Sequence, residues 1–176
     1  EAKPAHFWAG RSARRGLQVP SAAVRSGRDR QPVLQPSAHL HYAARQGFAD
    51  VAMALLDAGV PVDQRKADGA TALLIATVNG RFDLALQLLD RGADPNAAAE
   101  NGATPLYATI NLQWAPRAGS PPPHAPLTQP VGYLDYMPRL LDKGAAPTQR
   151  LRKTVWYTGY NFDQSGVDEV GATPFW

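Results

Sequence analysis

The chain has 176 residues, 44% of them hydrophobic, which allows one domain with a packed core and rules out a string of several. It contains no cysteine, which excludes a disulfide framework, a thiolate metal site and thiol chemistry and is compatible with a reducing or an oxidising compartment. The formal charge of +3 is unevenly spread: residues 1–36 carry seven Lys and Arg against Glu1 and Asp29, net +5, whereas residues 37–176 carry eleven basic and thirteen acidic residues, net −2. A mildly acidic folded part argues against nucleic acid as its partner. No apolar run approaches the roughly 18 to 20 residues of a membrane-spanning helix.

Residues 1–36 show neither helical nor strand periodicity and are dominated by Arg, Ser, Ala, Gly and Pro, so a disordered basic arm is expected. Other readings compete. The arm has the composition of a nucleic-acid or anionic-membrane tail, or of an organelle transit peptide. Its bias is also what an out-of-frame reading of a GC-rich gene would yield, which would make it non-native.

From residue 37 a period appears. Leu40, Leu73 and Leu106 stand 33 residues apart, as do Gly47 and Gly80, Leu55 and Leu88, Gly59 and Gly92, and Gly69 and Gly102. Within each unit Asp68-Gly69 and Asn101-Gly102 predict turns. Thr71 and Thr104 are placed to cap a first helix of small apolar residues, with Pro105 at a first helical position. After Gly47 and Gly80 a second helix is expected, apolar through Val51, Met53, Leu55 and Leu56 in one copy and Phe82, Leu84, Leu86, Leu88 and Leu89 in the next, with Asp83, Gln87, Asp90 and Arg91 facing water. Gly59 and Gly92 then stop it.

The first unit spans about 37–63 and the second about 68–96. The third, about 101–148, is interrupted: Gly80 to Gly132 covers 52 residues, 19 beyond the period, placing a Pro-rich loop at about 113–131. Pro138 is expected to bend or shorten the helix that follows. A second insertion of 17 residues falls within 149–167, where Thr154 to Tyr157 could add a short strand or hairpin. Residues 171–176 open as if beginning another unit. A repeat without a polar cap exposes an apolar edge, so a fragment of a longer, marginally stable array is expected.

These strings resemble the ankyrin family pattern T-P-L-H-x-A-A-x-x-G…V-x-x-L-L-x-x-G-A-D-x-N. Thr104-Pro105-Leu106, Gly92-Ala93-Asp94-Pro95-Asn96 and Leu40-His41-Tyr42-Ala43-Ala44 carry the likeness most closely. The resemblance implies an all-α ankyrin-repeat solenoid of helix-turn-helix units with turn or hairpin fingers. It implies that His41 makes the inter-repeat hydrogen bond of the family's motif histidine, which Leu74 and Tyr107 replace in the other copies. It further implies a concave partner-binding face, transferred by position to Tyr42, Arg45 and Gln46; to Arg65, Asp68, Val78 and Asn79; and to Glu100, Asn101 and Asn111. In the second insertion Trp156, Tyr157, Tyr160 and Phe162 read either as a small satellite core or as aromatic anchors, the side chains that dominate interface energetics. Arg150, Arg152 and Lys153 beside them suit an acidic partner.

No Gly-rich phosphate loop, H-E-x-x-H or G-x-S-x-G motif is present. His39 and His41 point different ways along a helix, and Asp163, Asp168 and Glu169 lack the spacing of a calcium loop. The leading expectation is a non-enzymatic, monomeric module that binds another protein and needs no cofactor. Two others stand beside it: the recognition part of a larger multidomain enzyme or effector, and a small-molecule or carbohydrate-binding scaffold built on the aromatic insertion. Nothing in the sequence assigns a compartment.

Overall fold

The computed structural model describes residues 36–114, 130–153 and 170–175. The N-terminal arm, most of the Pro-rich insertion and most of the finger insertion, with its proposed strand, lie outside the described residues. Among the described residues there are six helices and no strands: α1 (Pro36–Gln46), α2 (Ala49–Asp57), α3 (Ala72–Val78), α4 (Phe82–Asp90), α5 (Pro105–Trp114) and α6 (Tyr133–Asp142). They form three antiparallel pairs. The first helices α1, α3 and α5 stack on one another in a row, and α2, α4 and α6 pack behind them.

The local chemistry accounts for the helix ends. Thr71 and Thr104 accept, through Oγ1, the backbone N–H of Leu74 and Tyr107 at 3.4 and 3.2 Å, satisfying donors that the first turn would otherwise strand. Asp68 and Asn101 accept the N–H two residues on, from Ala70 and Ala103, both at 3.0 Å, which folds each finger into a tight turn. Those turns require positive φ at Gly69 (+77°) and Gly102 (+86°). Neighbouring fingers are joined edge to edge: Glu100 N–H donates to the Asp68 carbonyl at 3.0 Å and Arg152 N–H to the Asn101 carbonyl at 2.8 Å. The fingers are therefore turns cross-linked by backbone bonds, with no strand among the described residues.

The period becomes a core because equivalent residues land in equivalent slots. Leu40, Leu73 and Leu106 are fully buried, one behind another, each contributing about 1.5–3 kcal/mol of transfer free energy. Phe82 stacks on Tyr136 with ring centroids 4.9 Å apart. In α4 the buried residues are Phe82, Leu84, Ala85, Leu88 and Leu89, with Leu86 and Asp83 half-buried and Gln87, Asp90 and Arg91 exposed. Val51 departs from expectation. It is 49% exposed although its counterpart Leu84 is buried, because in the described residues nothing packs against the outer side of the first pair. Tyr42, Phe48, Leu134, Leu141 and Phe175 are exposed as well.

Two further differences have local causes. Helix α5 runs through Gln113 and Trp114, residues read as the start of a loop, since Gln113 occupies the place where Gly80 ends α3. Helix α6 is not shortened by Pro138: it spans ten residues against nine in α2 and α4. Pro138 and Leu134, whose carbonyl loses the proline's N–H as partner, are both exposed.

Candidate functional site

The first helices and the fingers enclose a groove of about 640 Å³ on the concave side. One wall is α1, where Tyr42 and Arg45 stand three residues apart on the same helix face. The floor is α3, through Leu74, Ile75, Val78 and Asn79, supported by Ala70 and Ala99 beneath the fingers. The opposite wall is the finger row, with Lys66 and Asp68, then Glu100 and Asn101, then Lys153. The floor is preorganised: Asn79 Nδ2 donates to the Ile75 carbonyl at 2.8 Å and so closes the end of α3 with its own side chain.

His41 fixes how far the first wall stands from the fingers. Its ring is buried, and Nε2–H donates to the Gln64 carbonyl at 2.7 Å. Because a carbonyl only accepts, this bond sets the tautomer. The inter-repeat role implied for His41 is therefore in place. Asp68 is held in turn by Ala70 N–H and by Lys66 Nζ at 3.2 Å. The Ala70 bond, aided by Lys66 and partly opposed by burial, keeps its carboxyl below the ordinary aspartate pKa.

Of the positions transferred by the repeat pattern, the groove gathers Tyr42, Arg45, Asp68, Val78, Asn79, Glu100 and Asn101. Three others fall elsewhere. Arg65 is a strut between fingers, its Nη1 donating to the Ala98 carbonyl at 2.7 Å and the Gly69 carbonyl at 3.2 Å. Gln46 and Asn111 are half-buried and do not line the groove. Trp156, Tyr157, Tyr160 and Phe162 lie outside the described residues. Leu74, Ile75, Lys66 and Lys153 were missed as groove residues. Positional transfer selects exposed tips, so it passes over a floor residue such as Leu74, which is 2% exposed. Lys153 reaches the groove only because the base of the inserted finger bonds back to Asn101, its N–H donating to that carbonyl at 3.2 Å.

Among the described residues no three His, Asp or Glu side chains converge on a metal position, and no helix is long and apolar enough to cross a membrane. Paired helices stacked in a row, with turn fingers along one edge and a groove between, define a helical repeat solenoid, a class that acts by presenting a surface. The family model for ankyrin repeats (3 copies) matches residues 26–99. Over those residues the chain matches ankyrin repeats, which are in general protein–protein interaction modules, typically without enzymatic activity. No curated protein matches the sequence.

Proposed function

We propose that this chain is a non-enzymatic interaction module whose concave groove holds a segment of another protein. One observation carries the reading: seven side chains chosen by repeat position line a single groove, over an aliphatic floor of Ile75 and Val78. The floor offers apolar burial, the walls offer polar contacts for register, and the finger-to-finger bonds hold both before a partner arrives. A preorganised surface loses less entropy on binding.

Site-specific photo-cross-linking tests it. A benzoylphenylalanine placed at Tyr42, on the groove wall, should capture one discrete partner. The same group at Gln87, exposed on the opposite layer, should not. Capture from position 87 and not from 42 would move the interface to the outer helices and end this reading.

A further inference from the structure

We infer that the segment held by the groove is acidic, with carboxylates flanking an apolar side chain; this rests on the groove being the partner site. Charge in this fold is segregated in a way the linear sequence hides. The described residues carry ten Lys and Arg and ten Asp and Glu. Among the described residues six of the cations lie on the groove and its fingers, namely Arg45, Arg65, Lys66, Arg150, Arg152 and Lys153, against Asp68 and Glu100, net +4. The outer helices, their caps and the turns behind them carry the remaining four cations and eight carboxylates, net −4.

On the outer side Arg91 meets Asp57 at 2.6 Å and Lys143 meets Asp90 at 3.1 Å, so two of the four cations there are matched within the fold. In the groove Lys66 meets Asp68 at 3.2 Å, while Arg45 and Lys153, on opposite walls, have no carboxylate partner among the described residues. A partner that lays an apolar side chain on Ile75 and Val78 and sends carboxylates to either wall satisfies both cations and the floor together. A nucleic acid suits the surface less well. Asp68 and Glu100 interrupt the cationic wall that a continuous phosphate chain would follow, and the floor is aliphatic where bases need aromatic faces.

The test uses the full chain and four fluorescein-labelled probes, followed by anisotropy at low salt. Three are dodecapeptides with leucine at alternate positions and glutamate, serine or lysine between them; the fourth is a twelve-nucleotide oligothymidylate. The glutamate peptide should bind roughly tenfold more tightly than the serine peptide, the sum of two or three partly exposed ion pairs, and the lysine peptide more weakly than either. The gap between the first two should shrink as sodium chloride is raised. Because residues 1–36 are themselves basic, the Arg45→Glu/Lys153→Glu variant carries the assignment. Both side chains are exposed, so the variant should keep its helical circular dichroism. It should lose its preference for glutamate, read as the ratio of its affinities for the glutamate and serine peptides. Equal binding of the glutamate and serine peptides overturns the acidic preference and leaves the groove reading standing. A glutamate preference that survives the double variant places the acidic contact elsewhere and also overturns it. So does tighter binding of the oligothymidylate. If no peptide binds, the proposal falls, and cross-linking from position 42 decides separately whether the groove reading falls with it.

Discussion

Tyr136 donates its hydroxyl proton to Thr77 Oγ1, 2.8 Å away, from a site fully enclosed by protein. Thr77 is committed as a donor to the Leu73 carbonyl at 2.9 Å, which leaves its oxygen to accept from the phenol. The pair joins α3 to α6 across 59 residues of chain and sets the second helix of the third repeat in register after the long insertion.

Tyr136→Phe keeps the ring stacked on Phe82 and removes only this bond, so it should cost about 0.5–1.5 kcal/mol. Burial raises the phenol pKa above its ordinary 10.0, with the Thr77 bond acting weakly the other way. The folded state therefore keeps a proton that the unfolded chain loses. The phenol's contribution is fully present below about pH 10 and is lost as pH rises above that value. Urea midpoints at pH 8 and pH 11 should fall further for the wild type than for Tyr136→Phe. An equal fall in both would remove Tyr136 as the alkaline weak point.

His41→Ala should lower stability by about 1–3 kcal/mol, because it leaves the Gln64 carbonyl without its donor and opens a small cavity among buried residues. Hydrogen exchange should rise first in α1 and in the turn before Lys66. If exchange rises uniformly over all six helices instead, the histidine is not a local tie between the first two repeats.

Gly102→Ala and Gly59→Ala share a positive φ, +86° and +90°, but not the same surroundings. A methyl at Gly102 would stand 2.8 Å from both the Arg150 carbonyl oxygen and the Arg152 nitrogen, whereas at Gly59 nothing lies within 4 Å. Gly59→Ala should therefore cost only the conformational term, about 1–2 kcal/mol. Gly102→Ala should cost more, because the finger junction must move. Thermal denaturation of the two variants side by side tests the ranking, and equal losses would contradict it.

Pro138→Ala should raise the melting temperature. It restores a donor to the Leu134 carbonyl in the interior of α6, where proline costs up to about 3 kcal/mol against alanine. The looser unfolded chain takes back about 0.4–1 kcal/mol of that gain. A lower melting temperature would mean that the proline ring makes packing contacts worth more than the bond it removes.

Much of this architecture was legible beforehand because a repeat writes the same physical instruction more than once. The 33-residue spacing of Leu40, Leu73 and Leu106 located three equivalent buried slots, and Thr71, Thr104, Asp68 and Asn101 announced caps and turns that depend on neighbours two or three residues away. Burial at the edges was not legible. Val51 and Leu84 fill the same place in the repeat, yet one is half exposed and the other enclosed, since enclosure depends on what stands beside the repeat. The end of α5 was missed for a local reason, the absence at Gln113 of the glycine that stops α3.

The groove divides in the same way. Tyr42, Asp68, Val78, Asn79 and Glu100 followed from position in the repeat. Lys66 and Lys153 lie far apart in the chain, and only the bonds between successive fingers bring them into one wall. The amino-acid sequence alone determined the repeat, its helices and turns and the side of each unit that meets its neighbours, because these depend on short-range periodicity and capping. The tertiary structure alone decided that Tyr136 finds Thr77, that Arg65 spans fingers instead of lining the groove, and that positive charge among the described residues collects along the groove and fingers. Those outcomes depend on distances between residues that stacking, and not the chain's local chemistry, makes short.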